Sequence, residues 1–444
     1  MSAKSSDRMG LAQSLVAYGS KQGASEVEVS IQEGLESRVS VLDQNIDKLT
    51  ESVFKGLSLR VFVDGKAASA SSSDFTLETL ERLVDNAVAR ARLAGQDPFG
   101  GLPEAEPVQA KAEDLQIFDP ALIEVTVEKR IAIAKAIEAV GIKDPRVKKS
   151  MGANCNSFNW DVTLANSKGF AGSYRRSLIN CGGGFQGGEG TNLFEDYWGD
   201  SSTQLSDLKA PESIGKIALE RMTRLLGGRM VETQNVPVVF DPQMGAWLLG
   251  FLARCLTGIS VARRQSFLAD KLGTKVGNER VNIVDDGLLV GGRGTVPFDG
   301  EGVPCRRIGL IEQGVLKSYL LDTYWGKKLQ QRSTGNSDGP NNLYWAAGTS
   351  SPEDIIKSVD KGLYLTRYLG LGQEATTGDI SVGAFGLWIE KGALAFPVSE
   401  ITISANLGTL LQNVEMVGND LELRDSVSAP TLKFAEITVG GKSG

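Results

Sequence analysis

Two acidic clusters hold the residues best suited to hydrolysis: Asp285 with Asp286, and Asp420 with Glu422. Paired carboxylates can share a proton as an acid–base dyad or bind a hard cation. Asp285-Asp286-Gly287 closes an apolar run (Val281, Ile283, Val284), a setting that more often makes a turn. Arg263 and Arg264 are adjacent and could fork onto a peptide carboxylate or a partner's acid, although a solvated pair fits equally well. Cys155, Cys181, Cys255 and Cys305 are far apart with no C-x-x-C, which argues against a structural zinc site and a disulfide framework. The chain has no histidine. Catalytic zinc sites nearly always use one, and serine and cysteine nucleophiles usually borrow one as base. The commonest hydrolytic machinery at neutral pH is therefore missing. Asp, Glu, Lys or Tyr could still serve, so the prior for an enzyme is lowered without being removed.

Other patterns fail. There is no G-x-S-x-G elbow. Ser206-Lys209 and Ser358-Lys361 fit S-x-x-K, but no K-T-G follows. The glycine cluster CGGGFQGGEG, Cys181 to Gly190, lacks the G-x-x-x-x-G-K-[ST] pattern of a phosphate cradle and reads as a mobile hairpin tip. The terminal GGKSG has Glu436 where the first glycine should stand.

The 444 residues suffice for two or three domains with real cores. A net charge of −7 gives no basic footprint for nucleic acid or an anionic membrane. No apolar run approaches ~20 residues, so no membrane helix is expected. The N-terminus has no secretory pattern, and a cytoplasmic protein is expected.

Positioning elements follow from periodicity. Residues 7–22 read as an amphipathic helix. Strands follow, with turns expected at Glu33-Gly34 and at Asp43-Gln44-Asn45. GLSLRVFVDGKAASASS reads as a hairpin about Asp64-Gly65. A helix over Thr76 to Leu93 would cover one face of this antiparallel sheet. Pro98, Pro103 and Pro107 mark a linker. A helix near Pro120 to Val140, strands around 147–155, 158–165 and 169–180, and a helix over 211–227 make a central segment. Pro237 to Phe240 is a strand. Asp241 caps the helix that follows, with Pro242 at its first position and Gly258 as its stop. Met244, Trp247, Leu248, Phe251, Leu252, Cys255 and Leu256 give that helix one buried face.

Strand, turn and helix, PVVFDPQMGAWLLGFLARCLTG, resemble the start of the C-terminal domain of the TldD/PmbA family. SRVSVLDQNIDKLTESVFKGLSLRVFVDGKAASASSSDF is similar to its N-terminal domain. PFDGEGVPCRRIGLIEQGVLKSYLLDTYWGKKL, the STGN of Ser333 to Asn336, and the segments 387–407 and 417–441 match further blocks in order. The resemblance runs from about residue 25 to 441.

It implies a two-component peptidase system. In the catalytic member, TldD, this helix carries H-E-x-x-x-H and binds zinc. The other, PmbA or TldE, keeps the fold without the motif. Laid over the helix, the motif positions are Gly250, Phe251 and Cys255, which cannot do that work. The loop after VGNDL, where TldD-like members add a cysteine ligand, has no cysteine here. The resemblance thus implies the PmbA/TldE branch, with no metal in this chain and zinc expected in a TldD-like partner. It also implies unfolded peptides as substrates; a homodimer stays open for the chain when alone. Residues in loops and family-like motifs expected to touch peptide or partner are Arg263, Arg264, Thr334, Gly335, Asn336, Asn419 and Asp420.

The fold class expected is α+β: an N-terminal antiparallel sheet with helices (1–95), a linker (96–117), a central α/β segment (118–230) and a strand-rich, barrel-like C-terminal domain (231–444). Two further classes stay open. One is a stand-alone metal-dependent peptidase using Asp285, Asp286, Asp420 and Glu422. The other is a homodimeric peptide-binding scaffold with no enzymatic activity.

Overall fold

The computed structural model describes residues 5–190 and 192–442. Met1–Lys4, Thr191 and the last two residues of GGKSG lie outside it.

Six strands form one antiparallel sheet in the order β3-β2-β1-β4-β5-β6. They are β1 (Glu26–Leu42), β2 (Asn45–Val63), β3 (Lys66–Ser72), β4 (Val147–Asn166), β5 (Ala171–Glu189) and β6 (Asn192–Ser202). The first two sequence segments therefore share a single sheet. Strand residues alternate faces, and one face carries the long helices of this half. Val27, Val29 and Ile31 pack beneath α1 (Ser5–Lys21) and α2 (Leu77–Leu93). Further along the same face, Val41, Cys155 and Cys181 pack beneath α4 (Val127–Ile142) and α5 (Pro211–Thr223). The one-turn α3 (Ala121–Glu124) precedes α4, so the helix read from Pro120 starts later, where Thr126 Oγ1 accepts from Lys129 N at 3.3 Å.

Two glycine readings are corrected. Gly34 makes no turn. It lies inside β1, where a Cβ would stand 2.2 Å from Asn159 O and 2.5 Å from the Phe54 ring. The Gly cluster is mostly strand rather than hairpin tip: through Glu189 it is paired on both sides for most of its length, and only its last residue, Gly190, stands in the β5–β6 turn. Its strand glycines lack side chains because neighbours fill the space. A Cβ on Gly182 would meet the Tyr197 hydroxyl at 2.0 Å. The strands around 147–155 and 158–165 are likewise one continuous β4.

The C-terminal half opens with β7 (Gln234–Phe240) and α6 (Pro242–Leu256). Asp241 Oδ1 accepts from Met244 N at 2.9 Å and caps α6, as the sequence predicts. Gly258 does not end it. Thr257 separates α6 from a short helix that Gly258 begins, with Gly258 held against Trp325. A small sheet follows from β8 (Ile283–Asp286), β9 (Arg307–Glu312), β10 (Val315–Leu316) and β11 (Leu343–Trp345). Then come β12 (Lys361–Leu369), β13 (Gln373–Glu374), β14 (Asp379–Glu390), β15 (Ala393–Asn406), β16 (Val414–Val417), β17 (Val427–Ser428) and β18 (Leu432–Gly440). The run β12-β7-β18-β15-β14 closes on itself because β14 also pairs with β12. This is a five-stranded barrel, and the α+β class with a barrel-like C-terminal domain holds. One core joins barrel and α6: Phe240, Phe251, Leu252, Trp388, Ile403 and Phe434 belong to it.

Candidate functional site

Helix α6 divides its residues sharply. Phe251 is 1% exposed and Cys255 fully buried, both in the barrel core. Gly250 lies on the half-exposed stripe beside Trp247 and exposed Arg254. A Cβ at Gly250 would meet nothing within 4 Å. These positions do not fit a zinc ion: one offers no donor, one a hydrocarbon ring, and one a thiol that burial pushes up to about 12. Among the described residues, no group of three or more His, Cys, Asp or Glu could hold a metal.

The N-terminal end of α6 borders a cleft of about 610 Å³ between the two halves. One wall is β6, with Tyr197, Trp198, Gly199, Asp200 and Ser201. Others are Ile217 and Arg221 of α5, Gln243 and Ala246 of α6, and the segment Asp420 to Ala429. Among the described residues β6 is an edge strand, with no strand paired to its outer side.

Buried charges fix the walls. Arg221 Nη1 lies 3.2 Å from Asp241 Oδ2 and its Nε 3.3 Å from Asp196 Oδ2. Arg224 Nη2 adds a contact to Asp241 at 3.4 Å. Burial raises the Asp241 carboxyl while the two guanidiniums and the Met244 N–H oppose it. Arg424 pairs with Glu422 and lies 4.9 Å from the Trp198 ring. Ser201 Oγ donates to Arg424 O at 2.8 Å, tying the edge strand to the C-terminal half.

Of the residues expected to touch peptide or partner, Asp420 alone lines this cleft, and Glu422, expected with it as a candidate ligand, lines it too. Asp420 accepts from Thr431 N at 2.9 Å and from Thr431 Oγ1 at 2.7 Å. Exposed Asn419 donates its backbone N–H to Ser350 O. Arg263 is exposed and stands over Trp325, and Arg264 pairs with Asp270 at 3.1 Å in solvent. Thr334 accepts from Leu321 N at 2.8 Å. Gly335 sits at φ +78° against Pro304 O. Asn336 Nδ2 donates to Asp285 Oδ2 at 2.7 Å. Asp285 is fully buried and also accepts from Asn341 N at 2.8 Å; burial raises it to about 6. Asp285 and Asp420, one from each acidic cluster, thus have separate duties. Asp285 braces the TGN loop, and Asp420 braces the chain before β18.

Sequence reasoning missed Trp198, Asp200, Arg221 and Arg424. Arg221, Trp198 and Arg424 draw their meaning from partners distant in the chain, and only the capping role of Asp241 had a local signal.

Three matched segments tile this architecture. Residues 27–91 match PmbA/TldA metallopeptidase domain 1, 120–226 the central domain and 233–441 the C-terminal domain. The chain belongs to the PmbA/TldD metallopeptidase family. Metalloprotease PmbA of Escherichia coli O157:H7 is 32% identical, over 96% of this chain and 94% of that one. A TldD homolog of Buchnera aphidicola subsp. Acyrthosiphon pisum (strain APS) is 29% identical over 40% of this chain and 42% of its own. A Bacteroides thetaiotaomicron VPI-5482 crystal structure, described as a modulator of DNA gyrase, superposes with a TM-score of 0.91. It is 29% identical and covers 98% of this chain and 99% of that one. TldE of Thermococcus kodakarensis, 22% identical, shares the fold, with a TM-score of 0.87 over 97% of this chain and 100% of that one.

Proposed function

We propose that this chain is the non-catalytic, PmbA/TldE-type subunit of a cytoplasmic zinc peptidase that degrades or trims unfolded peptides. The observation that carries the reading is α6. A PmbA/TldD family member keeps the helix, its cap and its place on the barrel, yet presents Gly250, Phe251 and Cys255. Histidines and zinc then belong to a TldD-like partner, as does the chemistry of bond cleavage. This chain contributes a wall of the peptide chamber. The free edge of β6 along the cleft supports that role, because an extended peptide can add to it as a further strand. Backbone pairing of this kind tolerates many sequences and selects against folded ones.

The test mixes the purified chain with a TldD-like homologue from the same organism. Light scattering should show a mixed species, and elemental analysis should find zinc only when the homologue is present. Stoichiometric zinc on this chain alone, or no association with any His-bearing homologue, contradicts the reading.

A further inference from the structure

Cys155 on β4 and Cys181 on β5 stand directly opposite each other in the sheet, with Sγ atoms 2.9 Å apart. Both are free thiols, 0% and 2% exposed. Residues opposite each other in antiparallel strands have Cα atoms roughly 4.5–5.5 Å apart. Disulfides span about 4.4–6.8 Å between Cα atoms, so bond formation asks for no backbone movement.

A buried cation sits with them. Arg130 on α4 is 3% exposed, and its Nε and Nη2 donate to Ser157 Oγ at 3.1 and 2.8 Å. Among the described residues it makes no ion pair with a carboxylate. Glu51 adds to its field from beyond ion-pair distance, as do the two sulfurs. A guanidinium cannot shed its charge, so negative charge arising on a neighbouring sulfur is stabilised there. Cys181 Sγ donates to Cys155 Sγ. That bond and burial hold the Cys181 thiol far above its ordinary value, which makes oxidation slow without blocking it. Cys181 also lines the cleft, giving a small oxidant a route to the pair. Cys255 and Cys305 are buried with no second thiol and act as internal controls.

We propose that Cys155 and Cys181 form a reversible dithiol–disulfide centre in the cleft wall, oxidised by hydrogen peroxide and reset by a small thiol. A thiolate of the pair attacks one peroxide oxygen. The O–O bond breaks and hydroxide leaves, taking a proton to become water. The sulfenic acid so formed is attacked by the second sulfur. The S–S bond forms, the S–O bond breaks, and a second water leaves with the remaining thiol proton. Two thiols and one peroxide become one disulfide and two waters. Two molecules of a small thiol reverse it by exchange. The bond would staple β4 to β5 at the place where Cys181 reaches the cleft.

The experiment treats the native full chain with hydrogen peroxide, unfolds it in an alkylating agent and maps the cysteines by mass spectrometry. The expected product is one cross-linked peptide pair, Cys155 to Cys181, two hydrogens lighter, with Cys255 and Cys305 alkylated. Dithiothreitol should restore four alkylatable thiols. In Cys155→Ser the cross-link should vanish and a dimedone-reactive sulfenic acid should appear at Cys181. Four alkylated cysteines after peroxide overturn the proposal. So does oxidation of Cys255 or Cys305 at the rate of the pair, or sulfinic acid without a cross-link.

Discussion

Gly250 and Phe251 are consecutive on α6 and meet opposite surroundings. Phe251→Ala empties space in the barrel core and should cost about 3–5 kcal/mol, read from urea midpoints. Gly250→Ala fills open space in a helix interior and should stabilise by about 0.5–1 kcal/mol. Equal losses at both would mean that Gly250 has a packing duty its surroundings do not show. Buried carboxyls set a pH dependence. Burial raises Asp285 to about 6 and Asp299 to about 7, from an ordinary value of 3.8. From about pH 4 to 7 the folded chain therefore holds protons that the unfolded chain has released. Their stabilising contribution is complete below that window and is lost as pH rises through the two folded values. Asp299→Asn should flatten the fall in urea midpoint between about pH 4 and 7. An unchanged slope would show that Asp299 titrates normally.

Elements with a strong period were legible in the sequence, and elements defined by distant neighbours were not. Helix α6, its Asp241 cap and the Asp64-Gly65 hairpin carry local signals and appear where expected. The glycine run from Cys181 was misread because glycine marks a turn and a close approach alike. Distant neighbours such as the Tyr197 ring over Gly182 tell them apart. In the cleft, Asp420 was legible through the family-like VGNDL, whereas Arg221 means something only once Asp196 and Asp241 stand beside it. Glu138 on α4 is a similar hidden tie. It is fully buried and accepts from Asp43 N at 2.8 Å, Gln44 N at 2.7 Å, Gln44 Nε2 at 2.9 Å and Ser150 Oγ at 2.5 Å. It thereby fixes the β1–β2 turn to the helix layer. Hydrogen bonds to a charged group are worth about 1.5–3 kcal/mol each, so Glu138→Ala should cost at least about 3 kcal/mol. Hydrogen exchange should quicken first at the amides of Asp43 and Gln44. Protection unchanged at that turn would refute the tie.

At the scale of the whole molecule, the two halves are joined around an open cleft by ion pairs, hydrogen bonds and ring contacts. Phe298 from the barrel half packs its ring 4.9 Å from Phe170 and 5.1 Å from Tyr174 of the sheet half. Arg60 bridges Glu28 at 3.1 Å and Glu301 at 3.2 Å, joining the halves by charge. Phe298→Ala should lower stability by about 3–5 kcal/mol and split one unfolding transition into two; a single unshifted transition would mean the halves are held elsewhere. The contacts keep β6 and α6 on facing sides of one cleft, which a peptide chamber requires. The central claim is that this chain shapes the chamber and a His-bearing partner cuts. Its most direct test is cleavage of an unfolded peptide by the purified chain, alone and mixed with a TldD-like homologue from the same organism. Activity only in the mixture, abolished by a zinc chelator, is the predicted result. Robust cleavage by this His-free chain alone would contradict it.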